Sequence, residues 1–581
     1  MPAALRPRAL LRHLPLLVVL AGAVGLRVWY ALTYPYAFFF PDSRPYMEAA
    51  YLSTPNPARP YGYSWLLKPF LHGPYDRIAF AQHLLGVVLV VVGYVFLVRR
   101  GAKPWLAALA VLPFAVDARV LTIEHFVLAE TAYITLTAGG LFLLAWRRRL
   151  GWLAAALAGT MLGFAAVTRS VGLPILALAV VYLVIRRVGW LRLVAFALPV
   201  AGFLGGYLTW YHQSTDVYAF GQYSGRFLYA RVMPIADCDK LKLTADQREL
   251  CMPDAPATWV QRPDNYIWSS LSPARRLYPS ETSDKVLGDF ANTVIKQRPG
   301  AYAAMVAEQS WWHLTWRPPL NSDAECLATI WLPPAKVGTD CVARYYTPAS
   351  RPDRMPPPHF LVDNPDASRL AAYGKVVTTP GPLYAVGILA AVVAACWRPR
   401  RRPWREAADA LLFTGAGFGL LVVSVATSLF DYRYAEPAVL LIPIGLALSV
   451  TRIAAVSGKP LPPIPKQRSA EPDLQPEPQP PARSEPPPPA TTEPQPAKAM
   501  ADPGPEPEKQ AEPEALAQAE GDAQAEAGAA PAVELGAADE AEPDDAGADD
   551  LADLPVYEIP SQAKADDRVI RGVKPRGALS H

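Results

Sequence analysis

The chain has 581 residues, 55 Lys and Arg against 52 Asp and Glu, a net charge of +3 and a mean hydropathy of +0.12. These averages conceal two unlike parts: up to about residue 455 the sequence is apolar, aromatic and basic, and beyond it Pro, Ala and Glu dominate. The near-neutral charge is a cancellation, the apolar part excludes a purely soluble protein, and no nucleic-acid partner is expected.

Apolar runs of about 17 to 22 residues, the length that spans a ~30 Å hydrocarbon core, recur along the first part. In chain order they are Leu14 to Ala31, Ile78 to Val98, Pro104 to Val120, Val127 to Trp146, Trp152 to Val167, Val171 to Ile185, Leu191 to Trp210, Tyr373 to Trp397, Ala408 to Ser428, and Ala435 to Thr451. They predict an all-α polytopic membrane protein with about ten transmembrane helices. Arg6, Arg8 and Arg12 precede the first run. Arg99, Arg100 and Lys103 follow the second, Arg147 to Arg149 the fourth, Arg186 and Arg187 the sixth, and "RPRRRPWR" (398 to 405) the eighth. With ten spans all these clusters share one side, which the positive-inside rule makes the cytoplasm, with both termini there. Arg27 interrupts a would-be signal peptide and more spans follow, so the first helix is expected to be retained.

Of five cysteines, Cys396 lies in a span and Cys238, Cys251, Cys326 and Cys341 lie in the segment from about 212 to 372. Four thiols on the outer side suggest two disulfides. Three pairings are open, and the local one, 238–251 with 326–341, is favoured; a metal site has no CxxC or His clustering behind it. The organisation read from this is a membrane module at 1–211, an extracytoplasmic domain at 212–372, three further helices at 373–456, and a tail at 457–581. The tail, with "LQPEPQPPARSEPPPPATTEPQP" and "ELGAADEAEPDDAGADD", cannot bury enough apolar surface to order itself and reads as a solvated, disordered cytoplasmic spacer. Its basic end, "DDRVIRGVKPRG", could touch an anionic membrane surface.

Charge at membrane depth is costly, about 2.5–3.5 kcal/mol even on forgiving scales, so the charged outer ends of the spans are where chemistry is sought. "YPYAFFFPDSRPYMEAA" (34 to 50) brings Asp42, Arg44 and Tyr46 to the first outer loop, and "RPYGYSWLLKPFLH" (59 to 72) continues it as an interfacial helix with Tyr63. "DARVLTIEHFVLAETAY" (117 to 133) adds Glu124, His125 and Glu130. The two glutamates are six apart, so at most one should share a site with Asp42. "TRSVG" supplies Arg169, and "FDYRYAEP" (430 to 437) supplies Asp431, Arg433 and Tyr434. Plainer readings stand beside these. Asp42 could cap the next helix, the arginines could reach headgroups, and Glu124 and His125 are expected at the surface. "GAGFG" (415 to 419) reads as close helix packing, and Trp311, Trp312, Trp316 and Trp331 as an interfacial belt or a sugar-stacking set.

Together, "PDSRPY", "RPYGYSWLL", "LAETAY", "TRSVGLP" and "DYRYAEPAVLLIP" resemble the GT-C superfamily of membrane glycosyltransferases, in the branch of protein O-mannosyltransferases and lipid A aminoarabinose transferases. The resemblance implies a polyprenyl-phosphate-linked sugar as donor and an envelope glycan, lipid or protein as acceptor. It places chemistry on the outer face of the cytoplasmic membrane and inversion in a single displacement. It makes Asp42 the base, with Glu130 as second acidic candidate. Arg44, Arg169 and Arg433 become candidates for the donor phosphate, whose geometry guanidinium matches better than ammonium does, and Tyr46, Tyr63 and Tyr434 for sugar or acceptor. The protein O-mannosyltransferases usually carry an acidic pair where this chain has Asp42–Ser43, which leaves a protein acceptor and a divalent metal open. A lipid-linked glycan carrier or flippase, or a non-catalytic envelope scaffold, is the alternative function.

Overall fold

A computed structural model describes residues 11–279, 284–335, 365–397 and 405–457. The tail beyond 457, Cys341 and most of the 398–405 basic run lie outside the described residues. Among the described residues every regular element is helical, and the only strand-like pairings are two isolated bridges. The membrane module comprises α1 (Leu14–Thr33), the short α2 (Ser43–Leu52) and α3 (Gly62–Leu67), α4 (Asp76–Arg99), α5 (Pro104–Val116), α6 (Ala118–His125), α7 (Glu130–Ala145), α8 (Trp152–Thr168), α9 (Gly172–Ile185) and α10 (Trp190–Thr215). Shorter helices follow, among them α11 (Ser224–Val232), α12 (Asp284–Gln297), α13 (Pro299–Trp312) and α14 (Ser322–Ile330), before α15 (Pro365–Val376), α16 (Gly381–Cys396), α17 (Arg405–Thr427) and α18 (Glu436–Ser457).

Each of the ten expected spans is helical, but they are not equal in length. Five helices are long and apolar enough to cross a membrane, or up to seven if the bent pairs α5–α6 and α15–α16 each count as one. The remaining apolar helices α7, α8 and α9 are shorter. α9 has 14 residues, which rise about 21 Å against a ~30 Å hydrocarbon core. The expected span from Pro104 to Val120 is also interrupted, because the chain bends by 52° between α5 and α6. Asp117 causes the break. It takes an extended conformation and its carboxylate accepts from Arg119 N at 2.8 Å and from Val120 N at 3.4 Å, starting a new helix. The same carboxylate accepts from Thr379 N, tying the break to the start of α16.

An apolar core of Ala, Leu, Val and Phe side chains binds the long helices together. Phe96, Phe142 and Phe413 meet within it at centroid distances of 5.0 to 5.4 Å. At Gly417, inside the glycine-rich stretch, a Cβ would stand 2.7 Å from Ile442 of α18, so that stretch is indeed a helix contact. At one end of the bundle, Asp409 at the start of α17 pairs with Arg100 from the end of α4 and with Arg186 after α9, and accepts from Tyr182 at 2.7 Å. The helix ends that carry the basic clusters are therefore gathered at one end. The loops after α1, α5, α8 and α17 and the start of α7 converge at the other.

The segment after α10 folds onto that second end. A disulfide joins Cys238 to Cys251. Cys326 is also disulfide-bonded, while Cys341, its expected partner, lies outside the described residues. α12 packs on α11, and the Asp284 carboxylate caps the start of α11 through Gly225 N at 3.0 Å and Arg226 N at 2.7 Å. This segment also reaches the first loop, where Gln222 N donates to Pro57 O at 2.7 Å.

Candidate active site

Backbone pairing brings the acidic residues together. Phe38 and Phe126 form an isolated parallel bridge, with Phe38 N on His125 O at 3.0 Å and Val127 N on Phe38 O at 2.9 Å. Because the strands run the same way, four residues onward along each lies a carboxylate, Asp42 on one and Glu130 on the other. Asp42 occupies the N-cap position of α2 but makes no capping hydrogen bond. Its Oδ1 accepts from Arg59 Nη2 at 2.5 Å and its Oδ2 from Arg433 Nη1 at 2.7 Å. Arg433 Nε also donates to Glu130 Oε1, and so does Arg169 Nη1. The result is one chain of charges, Arg59–Asp42–Arg433–Glu130–Arg169, with three cations on two carboxylates.

Burial alone would raise the Asp42 carboxyl, but the Arg59 and Arg433 guanidiniums overcome it and hold it well below the usual carboxylate range. The excess positive charge leaves capacity for an anion, which guanidinium meets with planar, bidentate geometry. Aromatic rings wall the cluster. The Arg433 guanidinium lies 5.3 Å from the Phe40 ring and 5.5 Å from Trp331, and that of Arg169 lies 5.5 Å from Tyr434. Burial pushes the Tyr46 phenol up to about 12, so it stays a neutral donor; its ring meets Tyr63 edge-on at 5.1 Å. Tyr63 in turn donates to Gln82 Oε1 at 3.0 Å.

Of the residues singled out in the sequence, Asp42, Glu130, Arg169 and Arg433 are thus brought together, with Tyr46 and Tyr434 beside them and Tyr63 behind Tyr46. Arg44 is not: it is exposed. Arg59 holds Asp42 in its stead, its guanidinium 5.1 Å from the Phe227 ring of α11. The tryptophans also divide. Trp331 is fully buried beside Arg433 and Trp312 is buried, whereas Trp311 and Trp316 are exposed.

Glu124 and His125, expected at the surface, are buried. Glu124 accepts from Arg27 at 2.7 Å and meets His83 Nδ1 at 2.8 Å, and His83 Nε2 meets His125 Nδ1 at 3.1 Å. This internal network gives Arg27, an arginine inside an apolar helix, its carboxylate. It also requires Gly86, since a Cβ there would stand 1.9 Å from Glu124 Oε1.

One residue of the quoted motifs was passed over. Glu436, the first residue of α18, is 1 % exposed, and neither carboxylate oxygen has a hydrogen-bond partner. It lines two cavities. The smaller holds Glu130, Arg169, Arg433 and Tyr434. The larger, about 290 Å³, is bordered by Arg119, His313, Arg317 and Lys375. Its place after Arg433 in "YRYAEP" was the available signal. Among the described residues no three His, Cys, Asp or Glu side chains gather as metal ligands.

A bundle of apolar helices with a charged cluster buried at one end defines a multi-pass membrane protein with a candidate site at the helix ends. Residues 50–214 match the family model described as dolichyl-phosphate-mannose-protein mannosyltransferase. This match supports the resemblance to the GT-C membrane glycosyltransferases; the matched segment contains Arg59, Glu130 and Arg169 and leaves out Asp42 and Arg433. No curated protein matches the chain. Among solved structures, the chain is similar to the protein O-mannosyltransferase Pmt1–Pmt2 complex of S. cerevisiae bound to the sugar donor, at 17% identity over 39% of this chain and 37% of that one, with a TM-score of 0.27. It is also similar to ArnT from Cupriavidus metallidurans in the apo state, at 15% identity over 76% of this chain and 77% of that one, with a TM-score of 0.29. The chain spans little more than a third of the yeast chain it matches.

Proposed function

We propose that this membrane glycosyltransferase moves a sugar from a polyprenyl-phosphate donor to a hydroxyl of an envelope or exported acceptor, at the outer face of the cytoplasmic membrane. The observation that carries the reading is the Asp42 carboxylate held between Arg59 and Arg433, with Arg433 and Arg169 meeting again on Glu130. The donor phosphate binds against Arg433 and Arg169, while the polyprenyl tail lies along the apolar helices. The acceptor hydroxyl attacks the anomeric carbon from the opposite face. Its proton passes to Asp42, the carbon–oxygen bond to phosphate breaks, and the bonding pair leaves with the polyprenyl phosphate. One displacement inverts the anomeric configuration.

The electrostatics suit this order of events. In the free site Asp42 is a weak base, because its neighbours hold it ionised. A bound phosphate draws guanidinium charge toward itself, and the carboxylate's affinity for a proton rises once the donor is in place. As the sugar departs, the growing negative charge on phosphate meets cations already oriented by Glu130 and Asp42. The basic clusters at the opposite helix ends support a cytoplasmic location for that end. The ten-span topology, the four-part domain division and the disordered cytoplasmic tail belong to the same reading.

The test uses purified protein and Asp42→Asn in nanodiscs with lipid-linked sugars and an envelope extract, following release of free polyprenyl phosphate by mass spectrometry. Release by the wild type and not by the variant supports a transferase with Asp42 as base. Equal release by both removes that role from Asp42, and binding of the lipid without release by either points to a carrier.

A further inference from the structure

The cavity of about 290 Å³ lies beside the charged cluster, at the low end of the ~300–1,000 Å³ of small-ligand pockets. Arg119, Arg317 and Lys375 border it, none of the three in an ion pair among the described residues; the Asp117 carboxylate also lines it but is taken up by Arg119 N and Thr379 N, and the Arg119 guanidinium lies 3.7 Å over the Tyr432 ring. Three buried polar side chains also line it unsatisfied: both oxygens of Glu436, both ring nitrogens of His313, which is 3 % exposed, and the Thr379 hydroxyl. Buried groups of this kind normally have partners, and leaving them unpaired is costly. Burial first, and then the Arg119 charge, lower His313 to about 3, so its ring is neutral and offers one donor and one acceptor. Trp316 borders the cavity and is 70 % exposed, an open aromatic face.

These groups describe a ligand. It carries an anion for the three cations, hydroxyls for Glu436 and His313, and a ring face for Trp316. Val120, Ile123 and Val439 line the cavity too, but a polyprenyl chain would leave these charged and polar groups without partners. Glu436 also lines the smaller cavity with Glu130, Arg169 and Arg433, so a hydroxyl held by Glu436 stands next to the donor cluster. We propose that the larger cavity is the acceptor site and that it selects an acidic sugar, bearing a carboxylate or phosphate, with Glu436 orienting its hydroxyl. The assignment to acceptor rests on the transferase reading above; the preference for an acidic sugar does not.

The same anion chemistry could come from the donor's phosphate, and the experiment separates the two. Full-length protein in nanodiscs, in an Asp42→Asn background that stops turnover, is titrated by calorimetry with three probes. They are a glucuronate-containing disaccharide, its neutral glucose counterpart, and farnesyl phosphate. Arg317 and Lys375 are exposed, so Arg317→Ala/Lys375→Ala is expected to fold. Arg317→Lys/Lys375→Arg keeps the charge. The acidic disaccharide is expected to bind about tenfold tighter than the neutral one. The Ala pair should abolish that preference, the charge-keeping pair should retain it, and farnesyl phosphate should bind equally to all. Absence of the acidic preference, or its persistence in the Ala pair, overturns the proposal. Loss of farnesyl phosphate binding in the Ala pair overturns it too, by assigning the cations to the donor. If the acidic preference holds while the polyprenyl phosphate release assay fails, the transferase reading falls and the acidic-sugar site stands.

Discussion

Asp42 and Glu130 each stand four residues beyond the bridged pair Phe38 and Phe126, and Arg433 donates to both. The short parallel pairing therefore sets the spacing of the two carboxylates, and the guanidinium from the last loop fixes it. Neither acid uses its capacity on its own helix: Asp42 caps nothing, and Glu130 keeps Oε2 without a partner.

Asp42→Asn should preserve the fold, since Arg433 retains Glu130, and lower the transfer rate by about 10²–10⁴-fold, the range for loss of a general base. Thermal unfolding in detergent checks the fold, and polyprenyl phosphate release per folded molecule measures the rate.

Arg44 and Arg59 should behave oppositely. Arg44 is exposed and takes no part in the cluster's ion pairs, so Arg44→Ala should change stability by no more than about 0.5 kcal/mol and leave transfer intact. Arg59→Ala removes one of the two cations that depress Asp42. The carboxyl then binds protons more readily, and the acid limb of the pH–rate profile should move to higher pH. A limb that stays in place would mean that Arg59 does not set the charge state of Asp42.

Asp431 gives a stability signature of the opposite sign to Asp42. Burial pushes its carboxyl up to about 7, above the ordinary unfolded value of about 3.9. Its stabilising contribution is complete below the unfolded value and is lost as pH rises toward 7. The unfolding temperature should therefore fall between about pH 4 and pH 7, and Asp431→Asn should flatten that slope. Asp42, held low, loses its contribution only as pH falls below about 4.

Asp409 tests the far end of the bundle. It is 2 % exposed and satisfies Arg100, Arg186 and Tyr182. Asp409→Ala leaves two guanidiniums without it and should cost about 3–5 kcal/mol, the range for breaking a buried pair. Transfer per folded molecule should be unchanged, because nothing in the charged cluster touches Asp409.

The parts of this arrangement that were legible in the sequence were those governed by local pattern. Apolar runs gave the helices, and charge at their outer ends gave Asp42, Glu130, Arg169 and Arg433. Arg59 was missed in favour of Arg44 because proximity in sequence to Asp42 is no guide across the bend that returns the loop after α2. Glu124 and His125 were misjudged because Asp117 restarts the helix at 52°, which turns a presumed surface turn inward to Arg27 and His83. Glu436 was overlooked because its significance is an absence of partners, which only the packed helices reveal.

Arg433 lies 391 residues after Asp42 and 303 after Glu130. At ~5–20 residues per second, about 15–60 s separate the synthesis of Glu130 from that of Arg433. During that interval the emerging chain holds both acids without the guanidinium that joins them. A chain whose translation stops before the last hairpin carries the residues of the Arg59–Asp42 and Arg169–Glu130 pairs but not the guanidinium that links them. The link between the two acids thus waits on one of the last residues of the membrane part to be made, and the five-membered charge chain closes only when that part is nearly complete.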